Sequence, residues 1–112
     1  MRRAEDSLQA NIIKYLRLAL PKAIVYAIPN AGRRTIAEAM MMKATGLLAG
    51  MPDIGIVRDG GSAYFLEVKP PHRYLSEDQK VIAAAMETRH IPRATVRSIE
   101  EVTAALIEWR LL

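Results

Sequence analysis

Three polar residues stand where a fold would ordinarily place Val or Ile. In the run Tyr64-Phe65-Leu66-Glu67-Val68-Lys69 a carboxylate and an ammonium interrupt the pattern of a buried strand, and Asp53 heads a second apolar run that ends at Val57. An unpaired charge inside a core is strongly unfavourable, so the pattern calls for a compensating partner. Between the two runs lies Arg58-Asp59-Gly60-Gly61-Ser62, the strongest hairpin signal in the chain. Pairing centred on Gly60, as in a three-residue loop, sets Asp53 opposite Glu67 on one face of the sheet, about 5 Å apart between Cβ atoms, with Lys69 one pleat further. A two-residue Gly60-Gly61 loop would instead pair Asp53 with Val68 and send the acids to opposite faces. We therefore expect an odd loop or a glycine bulge.

Two sheltered carboxylates at that separation repel and raise one pKa unless a cation lies between them. With no cysteine and two isolated histidines in the chain, a metal would be held by oxygen, which favours Mg2+ or Mn2+ over zinc.

The elements that must position these residues alternate in type. Ala4 to Leu20 carries Leu8, Ile12, Leu16 and Leu20 on one stripe, an amphipathic helix ended by Pro21. Ala23 to Ile28 reads as a short strand closed by the turn Pro29-Asn30-Ala31-Gly32. Thr35-Ile36-Ala37-Glu38 is a capping box opening a helix through about Thr45, with Gly46 as its stop. After the hairpin strands, Asp53 to Val57 and Ala63 to Val68, a second capping box at Ser76 to Gln79 starts a helix through about Arg89. Pro92 to Val96 reads as the last strand, and Ser98 opens a helix to the C-terminus. The order is αβαββαβα, an α/β fold with a mixed β-sheet flanked by helices. Both hairpin strands are apolar on both faces, which predicts layers above and below.

At 112 residues the chain is expected to form a single domain over 1–112, with room for one core. No apolar run approaches the eighteen or so residues of a membrane span, and the N-terminus has no signal-peptide pattern, so no membrane association and a cytoplasmic location are expected. Sixteen basic against twelve acidic residues give a net charge of +4, compatible with a phosphate-rich partner without demonstrating one. Arg33, Arg34 and Arg73, near predicted loops, could grip phosphates without reading sequence. Asn30 is an ordinary turn residue. Met40-Met41-Met42 points side chains around nearly a full turn of the second helix, so one must leave the core unless another surface covers it.

Gly50-Met51-Pro52-Asp53 followed by Glu67-Val68-Lys69 resembles the signature of the PD-(D/E)xK nuclease superfamily. With Leu75-Ser76-x-x-Gln79 and Glu5-x-x-x-Gln9, the chain is similar to a stand-alone VRR-NUC (virus-type replication-repair nuclease) domain over nearly its whole length. The resemblance implies a restriction-endonuclease-like core and a Mg2+- or Mn2+-dependent, structure-specific DNA endonuclease, similar to Holliday-junction resolvases and acting on branched or structured DNA. It implies that Asp53 and Glu67 hold the metal with the Val68 carbonyl, that Lys69 orients or deprotonates water, and that Glu5 completes the metal shell. It further places Gln79 at the active-site edge and Asn30 near the DNA backbone, and it favours a homodimer with two symmetric sites. Taken by themselves, Glu5 is equally a carboxylate favoured at a helix N-terminus and Gln79 equally a capping residue. Two rival functions are a catalytically silent DNA-binding module of the same fold, and a nuclease acting in restriction or RNA processing.

Overall fold

In a computed structural model, the described residues are 4–30, 32 and 34–112. Ala31 and Arg33 of the sequence reading lie outside them. The elements follow the expected order: α1 (Ala4–Ala19), β1 (Ile24–Ala27), α2 (Ile36–Ala44), β2 (Ile54–Val57), β3 (Ala63–Val68), α3 (Glu77–Thr88), β4 (Arg93–Val96) and α4 (Ile99–Glu108). The four strands form one mixed sheet in the order β1-β2-β3-β4, antiparallel except for the parallel β3–β4 pair.

One face of that sheet carries the core. Val25, Ile54, Ile56, Leu66, Val68 and Val96 pack against Ile12 and Leu16 of α1 and Val102, Ala105 and Leu106 of α4. The stripe read from α1 is the buried one, since Ile12 and Leu16 are fully inaccessible. A hydrogen bond of 2.7 Å between the hydroxyls of Tyr15 and Thr103 ties the two helices together, and the Tyr64 and Trp109 rings pack at 5.3 Å between centroids where α4 crosses β3.

The opposite face is covered unevenly, unlike the two full layers that the apolar pattern predicts. Helix α3 lies over the side where it connects β3 to β4, whereas Ile24 and Tyr26 on edge strand β1 remain exposed. Asp53 and Glu67 are on this second face, because their neighbours Ile54, Leu66 and Val68 point into the core.

Both expected capping boxes form: Thr35 with Glu38 and Ser76 with Gln79 are each closed in both directions. The helix ends share one closure as well. At α2, α3 and α4 the chain turns left-handed at Gly46, His90 and Arg110, and the next amide bonds back to the carbonyl five residues earlier. This stops α4 at Glu108, short of the C-terminus to which the sequence pattern extended it. Helix α2 buries none of its residues, so Ile36, Met40 and Met41 are all exposed.

Candidate active site

The hairpin loop decides whether the acids meet. Asp59 to Gly61 form a single 3-10 turn, with Gly60 and Gly61 both at positive φ and the Arg58 amide bonded to the Ser62 carbonyl at 2.9 Å. That three-residue loop centres the register on Gly60: Ile54 pairs with Leu66 and Val57 with Ala63. One step beyond the ladder, Asp53 faces Glu67, as the odd-loop expectation required.

Asp53 is held by its backbone from both sides. Its N–H donates to the Leu66 carbonyl at 3.1 Å, and its carbonyl accepts from the Ile28 amide at 2.8 Å. Its side chain then reaches across to β3, where Oδ2 accepts the Val68 amide at 2.7 Å. Strand alternation sends the N–H and C=O of one residue to the same side, so the Val68 carbonyl also points towards Asp53. The loop before Asp53 passes so close to the first turn of α3 that a Cβ on Gly50 would collide with the Asp78 carbonyl; at φ 91° the position favours glycine on backbone grounds too.

Among the described residues Glu67 is the one buried charged residue, only 1% exposed. Its Oε2 accepts from Gln79 Nε2 at 3.2 Å, while its Oε1 meets no donor among the described residues. Gln79 thus does two jobs at once: its Oε1 caps the Ser76 amide at 2.9 Å and its amide nitrogen steadies Glu67. Burial first, and then the facing Asp53 carboxyl, push Glu67 up to about 9, against weaker pulls from Lys69 and Arg93. The two acids bond to each other only when one carries a proton.

Two open pockets flank the pair. One, about 250 Å³, is lined by Asp53, Gln79, Asn30, Gly50, Met51 and Lys43. The other, about 450 Å³, is lined by Ala4, Glu5, Lys69, Pro70, Arg73 and Tyr74. The expected residues are therefore divided: Asn30 and Gln79 stand with Asp53, whereas Glu5 and Arg73 stand with Lys69. Among the described residues no three carboxylates or histidines cluster closely enough to share an ion. Arg34 is exposed, with the nearby Glu38 as its electrostatic neighbour.

Sequence reasoning missed the contribution of β4. Its parallel register places Thr95 beside Glu67 and Arg93 beside Phe65 on the same face. Arg93 Nη2 donates to Thr95 Oγ1 at 3.0 Å, and burial pushes its guanidinium below the usual value while Glu67 pulls it up. Arg97, one pleat on, donates from Nη2 to the Arg73 carbonyl at 2.7 Å and lies 6.0 Å from the Tyr74 ring centre, fastening the loop that carries Arg73. Lys43 was missed too, because nothing local says that α2 ends beside Asp53.

The donor set suits a hard divalent cation: two facing carboxylates, a backbone carbonyl on the same side, and a buried carboxylate oxygen lacking a donor. The profile of the VRR-NUC domain matches residues 1–100 of the chain. Two solved structures are similar over nearly their full lengths. One, described as a VRR_NUC domain protein, has a TM-score of 0.72 at 18% identity and covers 96% of this chain and 88% of its own. Another, described as a VRR_NUC domain, has a TM-score of 0.63 at 23% identity, covering 93% and 94%. No match is found among curated proteins.

Proposed function

The chain belongs to the VRR-NUC family, a family of nucleases, and on that premise we propose that it is a Mg2+- or Mn2+-dependent, structure-specific endonuclease that hydrolyses phosphodiester bonds in DNA. One observation carries the reading. Glu67 is buried opposite Asp53 with an oxygen that no donor among the described residues reaches, an arrangement that is unfavourable without a cation and ordinary with one.

Asp53, Glu67 and the Val68 carbonyl would hold the ion. Bound there, a divalent cation supplies Lewis-acid chemistry, polarising a phosphoryl oxygen and making water more acidic. The protein's own groups do the rest. Lys69, on the same face as Glu67, orients the attacking water and offsets charge that develops on the phosphate. Gln79 fixes the Glu67 carboxylate so that one oxygen stays turned to the ion. Glu5, beside Lys69, bounds the entry on that side and is the candidate for an outer carboxylate. Asn30 and Lys43 on one flank and Arg73 on the other hold the DNA backbone rather than its bases, and Arg33 and Arg34 are the further arginines that the sequence offers for the same task.

Branched DNA is the preferred substrate in this reading, as the family resemblance implies. A homodimer supplies the two sites that symmetric cutting needs; the exposed Ile36, Met40 and Met41 of α2 support self-association. A light-scattering mass equal to one chain at micromolar concentration contradicts the dimer.

The function is tested by incubating wild type and Lys69→Ala with four-way-junction, flap, splayed and linear DNA, with and without Mn2+. Metal-dependent cutting by wild type, and binding without cutting by Lys69→Ala, are expected. Binding without cutting by wild type identifies a silent DNA-binding module instead. Cutting by Lys69→Ala at the wild-type rate removes the assignment of that lysine.

A further inference from the structure

Tyr26 sits on a seat that a glycine makes for it. Tyr26 and Gly55 are directly paired across β1 and β2. A Cβ built on Gly55 would collide with Cε1, Cζ and the hydroxyl oxygen of Tyr26, so the end of the phenol lies over Gly55 itself. The backbone at Gly55 is not in the left-handed region; it would accept any residue, and the three nearest atoms a side chain there would meet all belong to the Tyr26 side chain. A glycine in a strand also weakens the strand, and β2 is a central strand.

The face matters as much as the contact. Ile54 and Ile56 point into the core, so Asp53, Gly55 and Val57 share the second face. Across the sheet on that face run Ile28, Asp53, Glu67 and Thr95 in one row, and Tyr26, Gly55, Phe65 and Arg93 in the next. Two residues along a strand span about 6.6 Å, so the Gly55 position that the phenol covers lies one repeat along β2 from Asp53, on the same face. Helix α3 does not close this part of the face: Tyr26 is 37% exposed, and its hydroxyl has no hydrogen-bond partner among the described residues.

We propose that Tyr26 is a substrate-positioning residue whose hydroxyl donates a hydrogen bond to a phosphate of the cut strand next to the scissile one, with Gly55 as the seat that fixes its reach. Tyrosine hydroxyls are ordinary donors to DNA phosphates, and a single neutral donor adds placement without adding charge. The inference rests on the nuclease reading above and adds a residue to it. The next row on this face is apolar, the exposed Ile24 of β1 paired with the half-buried Val57 of β2, so Tyr26 is the polar side chain that β1 offers to a strand leaving the acids.

The experiment pairs Tyr26→Phe with DNA in which one phosphate at a time, within two nucleotides of the cut, is a neutral methylphosphonate. Tyr26→Phe keeps the ring on its seat and should melt as wild type does. On unmodified DNA it is expected to lose about tenfold in single-turnover kcat/KM, the scale of one hydrogen bond. At one flanking position, methylphosphonate should slow wild type by a similar factor and leave Tyr26→Phe no slower than it already is. Such non-additivity is a readout that a merely structural role would not move. Tyr26→Phe cutting every substrate as wild type does, or losses that multiply in full at every position, overturns the inference while the nuclease reading stands. A wild-type protein that cuts no DNA in Mg2+ or Mn2+ overturns both.

Discussion

The Val68 amide donates to Asp53 Oδ2 at 2.7 Å, so the backbone of β3 holds the side chain of the acid that precedes β2 in place. Charge and acceptor can be separated at this position. Asp53→Asn, with its side-chain oxygen still able to accept from Val68, should keep near wild-type stability, whereas Asp53→Ala should lose about 1–2 kcal/mol through the orphaned amide. Both should lose cutting by at least about a thousandfold, the scale of a lost transition-state charge contact. Urea unfolding beside cleavage rates distinguishes the two effects, and full activity in Asp53→Asn contradicts the role.

Glu67 gives the metal-free protein a pH dependence opposite to the usual carboxylate one. Its folded value, about 9, lies above the ordinary 4.5, so between those limits the folded state keeps a proton that the unfolded state releases. Stability from this group is complete below about pH 4.5 and declines as pH rises towards 9. In chelator, wild type should lose melting temperature from pH 6 to 9 more steeply than Glu67→Gln, and Mg2+ should reduce the loss in wild type alone. Parallel curves for the two proteins would remove the buried proton from the account.

Gln79 joins a helix cap to the site, and the two roles come apart in Gln79→Glu. Glutamate still accepts from the Ser76 amide as the cap requires, but it has no N–H for Glu67 and adds a third acid beside it. The expected outcome is helix content close to wild type with cutting at least tenfold slower. Unchanged cutting would confine Gln79 to capping.

Gly50→Ala should lower stability by at least about 1 kcal/mol, the scale of forcing a side chain into a left-handed position, because the new methyl meets the Asp78 carbonyl as well. Asp53 and Gln79 flank that contact, so cutting should fall further than stability explains at temperatures where the variant remains folded. Wild-type melting and cutting would show that the loop has room.

What the sequence disclosed depended on how local the determining contacts are. Asp53 facing Glu67 was legible because Gly60 and Gly61, both at positive φ, set the hairpin register within a few residues. Both capping boxes were legible for the same reason. The parallel β3–β4 pair was not: its register is set by packing across a helical crossover, so Arg93 and Thr95 gave no sign of standing beside Glu67. The double role of Gln79, the end of α2 beside Asp53 and the fit of Tyr26 to Gly55 likewise need the sheet assembled. The place of Glu5 in one pocket with Lys69 likewise depends on how α1 crosses the sheet.

The central claim is that Asp53 and Glu67 share one divalent ion. Calorimetric titration of Mn2+ at pH 7.5, repeated in buffers of different ionisation heat, tests it without DNA. Wild type should bind Mn2+ and release a proton as it does so, while Asp53→Asn and Glu67→Gln should each bind at least about a hundredfold more weakly and release none. Equal Mn2+ binding by all three proteins, or no binding by wild type, would contradict it.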